Sequence, residues 1–372
     1  MNKTPQKQRM VAVAAAGAIA LGLAGCSAPA DAGAEGPTVV VTTSIFGDIA
    51  TELVGDQATV KVLIPAGSDP HDYQPSTRDI SQLHTADLVF AVGLGFEEAL
   101  APQLEAASSD GVNIVDLGES VKPLKSVDLY GDAVEQSDHD HGSGEHAEDA
   151  DDHDHDHDHD HDHDHDHEGH DHEHGDDHEH GDEHEGHDHG DHDHGPIDPH
   201  FWHDPQRVSL AVEEMVHELG ELDGIDAAKV AENGAEYQEQ LEKLDADLEA
   251  QFAEIPDDHR KLITQHRVLG YLAHRYGFET VGEMIPSTST LAQASASQIN
   301  DIVRTIEATG VPAVFTDVTQ SDALAETIQS ELGGKVEIVS LFTESLAAKG
   351  EEPATYIDLM RMNGERIAQA LR

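Results

Sequence analysis

Four residues have the types and placement that hold a divalent cation: His71, His200, His266 and Glu344. His71 lies in Ser68-Asp69-Pro70-His71-Asp72-Tyr73-Gln74-Pro75, just beyond a predicted strand, and His266 directly follows another. His200 sits in Asp198-Pro199-His200-Phe201-Trp202-His203-Asp204-Pro205, and Glu344 comes after the last predicted strand. Ligands of open α/β sheets gather at the carboxyl ends of the strands. Three imidazoles and one carboxylate suit zinc, which is tetrahedral in closed sites. Imidazole also suits copper and nickel, whereas manganese prefers more oxygen. Asp317, after Phe315-Thr316, is an alternative fourth ligand, as is a water, and His203 is a further candidate three residues from His200. Asp72 or Asp204 is expected to orient a ligand imidazole through its second nitrogen, with Trp202 and Tyr73 packed beside the site. His84, His217, His259 and His274 are expected to be solvated.

A second metal-binding composition stands just ahead of His200. Of 29 histidines in the chain, 21 lie between His139 and His194, with pure His-Asp alternation from His153 to His167 and no Lys or Arg. Such a stretch has no apolar face of either period and cannot pack a core. A solubilising spacer needs no histidine, and a purification tag sits at a terminus, so the composition points to metal capture. Tethered near a cleft, weakly held ions reach effective concentrations of about millimolar for a short flexible tether. Imidazole binds metal only when neutral, so capture is expected to fail as pH falls below about 6.5.

The elements that position these residues alternate. Strands are predicted at 38–43, 59–64, 87–92 and 112–116, with helices at 45–54, 77–85 and 97–107 between them. A second set follows, with strands at 261–264, 280–284, 313–316 and 336–339 and helices at 267–276, 297–309, 322–332 and 355–371. Alternating strand and helix with short turns means mainly parallel sheets covered on both faces. Between the sets, 208–219 and 227–255 read as amphipathic helices; in the second, Tyr237, Leu241, Leu244, Leu248 and Phe252 recur at helical spacing. The expected organisation is an N-terminal lobe over 38–225 interrupted by the His/Asp segment 137–195, a long linking helix over 226–256, and a C-terminal lobe over 257–372. The metal site then falls in the cleft between two similar α/β lobes.

Lys3, Lys7 and Arg9 precede an apolar run from Met10 to Ala24 that ends in Leu23-Ala24-Gly25-Cys26. This is the pattern of an export signal over 1–25, too short for a spanning helix, which needs roughly 18 or more apolar residues. Cys26 is the only cysteine, so no disulfide can form within the chain. Its setting looks like a bacterial lipobox, in which the thiol takes a diacylglyceryl group, and a polar linker runs from there to 37. The net charge is −56, and the 26 acids of 137–195 leave the remainder near −30. That surplus argues against nucleic acid as a partner, because phosphates demand Lys and Arg. A zinc hydrolase is the rival class, but there is no His-Glu-x-x-His and no evident general base.

Pro70-His71-Asp72-Tyr73-Gln74-Pro75, Asp198 to Pro205, Gln265-His266-Arg267-Val268-Leu269-Gly270-Tyr271-Leu272 and Leu341-Phe342-Thr343-Glu344-Ser345-Leu346 occur in an order that resembles a known family. They look like the zinc/manganese-specific solute-binding lipoproteins of ABC transporters, most of all the zinc group with a His-rich loop ahead of the second histidine. The resemblance covers Thr38 to Arg372 and the lipobox. It implies a non-enzymatic, monomeric carrier with His71, His200, His266 and Glu344 as ligands, delivering Zn2+ to a permease and its ATPase. Manganese members of that family typically carry Glu where His266 stands, so the resemblance favours zinc over Mn2+. It also implies a lipid anchor on Cys26 at the outer face of the cytoplasmic membrane. A manganese carrier, or a metal buffer or adhesin with no transport role, is the alternative.

Overall fold

The computed structural model describes residues 36–131 and 197–372. The export signal, Cys26 and the His/Asp segment 137–195 lie outside the described residues. No helix among those described is long and apolar enough to cross a membrane.

Two four-stranded parallel sheets carry the fold. The first contains β1 (Thr38–Val41), β2 (Thr59–Val62), β3 (Leu88–Ala91) and β4 (Ile114–Asp116) in the order β2-β1-β3-β4. The second contains β5 (Lys261–Thr264), β6 (Glu279–Glu283), β7 (Ala313–Asp317) and β8 (Glu337–Leu341) in the order β6-β5-β7-β8. The two orders are the same topology. Helices α1 (Ser44–Val54), α2 (Thr77–His84) and α3 (Ala101–Ser109) connect the first sheet, followed by short α4 (Leu117–Ser120) and α5 (Ser126–Tyr130). After the described chain resumes come α6 (Pro205–Gly220) and α7 (Ala227–Phe252). The second sheet is completed by α8 (Gly270–Tyr276), α9 (Ala296–Thr309), α10 (Ala323–Glu331) and α11 (Tyr356–Leu371).

Alternation along the strands divides the core. Val39, Val41, Leu88 and Phe90 face the interior shared with the other lobe, while Val40 and Val89 face α2 and α3. In the second sheet Leu262 and Phe315 face the shared interior, and Ile263 and Val314 face outward onto Ile302 and Ile306 of α9. Side chains pointing to opposite sides at period 2, both sides apolar, are what a doubly covered parallel sheet requires.

The 26 residues of α7 span about 39 Å. Asp226 caps its start by accepting from the Ala228 and Lys229 amides, satisfying groups that the helix leaves unpaired. Its buried seam of Val230, Tyr237, Leu241, Leu244, Leu248 and Phe252 belongs to the shared core. Gly234 lets α6 close in, since a Cβ there would lie 2.4 Å from Val216.

Candidate metal centre

His71 and His200 are placed by the same local device. Asp69 Oδ1 accepts the backbone N–H of His71 at 2.9 Å, and Asp198 Oδ1 accepts that of His200 at 2.8 Å. An aspartate bonding the backbone two residues on is an Asx turn. Each turn thus presents its histidine from a fixed loop. His266 follows β5 in a turn closed by Thr264 Oγ1 donating to the His266 carbonyl at 2.7 Å, and the Arg267 amide donates to the Ser287 carbonyl at 2.8 Å. Glu344 follows β8, where the Thr343 amide donates to Asp317 Oδ2 at 2.9 Å and Trp202 Nε1 donates to the Thr343 carbonyl at 2.7 Å.

These four side chains converge. Glu344 Oε1 lies 2.8 Å from His71 Nε2, 3.2 Å from His200 Nε2 and 3.1 Å from His266 Nε2. The four candidate ligand atoms all fall within 4.8 Å of one another, and all four residues are buried. Donors about 2.0–2.1 Å from a tetrahedral zinc would stand roughly 3.3 Å apart, so the carboxylate-to-imidazole spacings are those of a coordination shell. The donor set fits a borderline cation that accepts nitrogen and oxygen together.

The surroundings tune the imidazoles. Burial opposes a charge on His71, but Glu344 at one nitrogen and Glu98 at the other, 3.4 Å from Nδ1, outweigh it and push the pKa up to about 10. Burial likewise opposes a charge on His200, and the carboxylates of Asp198, 2.7 Å from Nδ1, and Glu344 raise its pKa. Glu344 is disfavoured as an anion by burial, yet the three imidazoles hold its pKa well below the usual range. Carboxylates only accept, so Nδ1 of His200 donates to Asp198. A cation binding through Nε2 displaces a proton only there, so metal and proton compete for these imidazoles.

Phe96 walls the site, edge-on to His71 at 4.9 Å and to His200 at 5.7 Å between ring centroids. The loop bearing Phe96 and Glu98 is held by Glu97, which accepts from Thr42 Oγ1 at 2.6 Å and from the Val92 and Gly93 amides at 2.6 and 3.0 Å. Gly93 has φ +77° and would drive a Cβ into Asp116, so only glycine fits that turn.

Several expectations are corrected. Asp72 is exposed and orients nothing in the site, and Asp204 instead caps α6 by accepting from the Gln206 amide at 3.0 Å. The orienting carboxylates are Asp198 and Glu98. Tyr73 turns away to donate to Asp79 at 2.8 Å and packs on the outer cluster of the first sheet, because the α2 cap draws it there. Trp202 does pack at the site, 5.2 Å from the His200 ring. His203 is fully buried but does not join the four; burial first, then the neighbouring His200, lowers its pKa to about 3. Asp317 is also outside the group and braces the Glu344 loop through Thr343 and Thr319. His217 and His274 are exposed, His84 faces Asp110 at 3.2 Å, and His259 bonds the Leu371 carbonyl at 3.1 Å.

Two parallel-sheet lobes are an architecture shared with solved metal-binding proteins. The periplasmic zinc binding protein TroA from Treponema pallidum superposes with a TM-score of 0.67, covering 90% of this chain and 99% of that one at 22% identity, a likeness of fold. Among curated relatives, the manganese-binding lipoprotein MntA of Halalkalibacterium halodurans is 25% identical over 358 residues, 95% of each chain. The iron-binding protein YfeA of Yersinia pestis is 25% identical over 331 residues, 89% of this chain and 85% of that one. Residues 39–370 match the ZnuA family, described as zinc-uptake complex component A, periplasmic. The chain belongs to that family, whose members are solute-binding proteins of metal ABC transporters and not enzymes.

Proposed function

We propose that this protein captures Zn2+ outside the cytoplasmic membrane and delivers it to the permease of an ABC importer driven by its ATPase. The observation that carries the reading is the convergence of His71, His200 and His266 on Glu344 Oε1 in a buried cluster. These four residues serve as the ligands, each exchanging a water of the hydrated ion for a protein donor. Three nitrogens and one oxygen favour zinc over the more oxygen-loving manganese. The His/Asp segment 137–195 collects ions and passes them to the cleft. Cleavage after residue 25 and a lipid on Cys26 anchor a monomer to the outer face of the membrane, with lobes over 38–225 and 257–372 and the linker over 226–256.

A chelator-competition zinc titration of the chain with and without residues 137–195 tests this. The shortened chain should keep one tight site that His71→Ala, His200→Ala and His266→Ala each abolish. If tight binding leaves with the segment, the cleft is not the transport site. A manganese carrier is the second reading, favoured by relatives named for manganese, including PsaA of Streptococcus pneumoniae. Manganese displacing zinc at equal concentration would establish it.

A further inference from the structure

Behind His200 a chain of hydrogen bonds crosses from one lobe to the other. The Gly270 amide, at the start of α8, donates to the Tyr130 hydroxyl at 3.1 Å. Tyr130 in turn donates to Asp198 Oδ2 at 2.7 Å. Asp198 Oδ1 takes both the backbone N–H of His200 at 2.8 Å and its Nδ1–H at 2.7 Å. Every member uses its proper role, since a hydroxyl donates once and accepts as well. Asp198 is wholly buried, where a carboxylate left without donors is costly.

The approach of the lobes at this point is built into the sequence. A Cβ on residue 270 would stand 2.6 Å from the Tyr130 oxygen and 3.1 Å from Asp198 Oδ2, so the contact needs glycine. Arg267 lies over the Tyr130 ring at 5.8 Å, and Tyr271 donates to the Asp198 carbonyl at 2.8 Å. Gly270 follows His266 by four residues, so the loop that brings one ligand also seats the hydroxyl that steadies another.

We propose that Tyr130 is a positioning residue that couples the seating of α8 to the orientation of His200, acting through Asp198. When the loop of His266 is in place, Gly270 fixes Tyr130, Tyr130 fixes Asp198, and His200 Nε2 points at the other ligands. When that loop shifts, Asp198 loses its steadying donor and His200 loosens. Retention of the ion then depends on both lobes at once through one phenol. This rests on the reading of His200 as a ligand.

The test is a double-mutant cycle on the full chain, read by chelator-competition zinc affinity and by the visible spectrum of the cobalt-loaded protein. Tyr130→Phe keeps the ring under Arg267 and should weaken zinc binding roughly tenfold, the lower end for outer-shell partners. The cobalt bands should shift, and the chelator-treated variant should melt near the parent. In an Asp198→Asn background the same change should cost little further, because its route to His200 is already cut. Gly270→Ala, which crowds the phenol oxygen without removing it, should weaken binding comparably. Equal fold-losses from Tyr130→Phe in both backgrounds overturn the coupling, as does parental affinity with an unshifted spectrum. His200→Ala separates the two ideas: if it retains parental affinity, the ligand assignment itself fails; if it abolishes binding while Tyr130→Phe is silent, only the coupling does.

Discussion

Asp69-Pro70-His71 and Asp198-Pro199-His200 are the same three residues at two places in the first lobe, and each aspartate caps its histidine's backbone. They diverge in what the rest of the carboxylate does. Asp198 also takes the ring Nδ1 of its own histidine. Asp69 instead reaches across to the second lobe, accepting from Thr290 Oγ1 at 2.7 Å and from Gln320 Nε2. His71 therefore depends on Glu98, from a different loop, for the partner at its second nitrogen. One turn orients the ring of a candidate ligand; the other ties the loop of a candidate ligand to the opposite lobe. Identical local sequence fixes the backbone, and tertiary neighbours decide what the side chain does.

Substitution separates the two turns. Asp198→Ala removes the turn and the ring partner together and should weaken zinc binding roughly 100-fold, the upper end for outer-shell partners. Glu98→Gln, which leaves the turn at His71 intact, should cost roughly tenfold. Affinities from chelator competition that reverse this order would mean that the two histidines are not held differently. The next effect is in pH. Capture displaces the His71 proton while the pH is below about 10, so zinc affinity should rise with pH by up to about tenfold per unit for each proton released. Calorimetry in buffers of different ionisation heat counts those protons.

Stability without metal should show the opposite sign at two buried imidazoles. His71, raised to about 10, stabilises the chelator-treated protein fully below 6.5 and loses that contribution as pH rises through about 10. His203, lowered to about 3, contributes above 6.5 and loses it as pH falls toward 3. His203→Gln should flatten the acid limb of a melting-temperature profile and leave the alkaline limb alone. Smallest of all is Thr290→Val, which removes one hydrogen bond worth about 1 kcal/mol. It should speed zinc release about fivefold with little change in capture rate, as read by stopped-flow with a chelator in excess.

Much of this was legible in the chain. β5 spans the predicted 261–264, where Leu262 and Ile263 supply the buried strand interior. The starts of α2 and α9 follow from capping boxes at Ser76 with Asp79 and at Ser295 with Gln298. The helix predicted from 97 begins at Ala101 because Glu97 spends its carboxylate on the Thr42 hydroxyl and two loop amides. The helix predicted from 267 begins at Gly270 because the Arg267 amide bonds Ser287 in the turn that carries His266. The four converging residues stand out in the sequence by type and place, whereas Asp198, Glu98 and Tyr130 do not. The repeated Asp-Pro-His spacing carried a signal for Asp198. Glu98 and Tyr130 act across 27 and 68 residues of chain, and no local pattern announces such contacts.

The seam of α7 puts residues from both lobes into one apolar core, from Val39 of β1 to Leu371 of α11. Neither half can be inherited or exchanged as a module, because a break within α7 would strip each lobe of the surface that covers it. Drift at Leu241 or Leu248 must be answered on more than one neighbouring element at once. Recombination is better tolerated in the outer layers, where Ile302 and Ile306 pack only within their own lobe. Lineages of this fold should therefore vary in their outer helices and rims while the interior changes as a single unit.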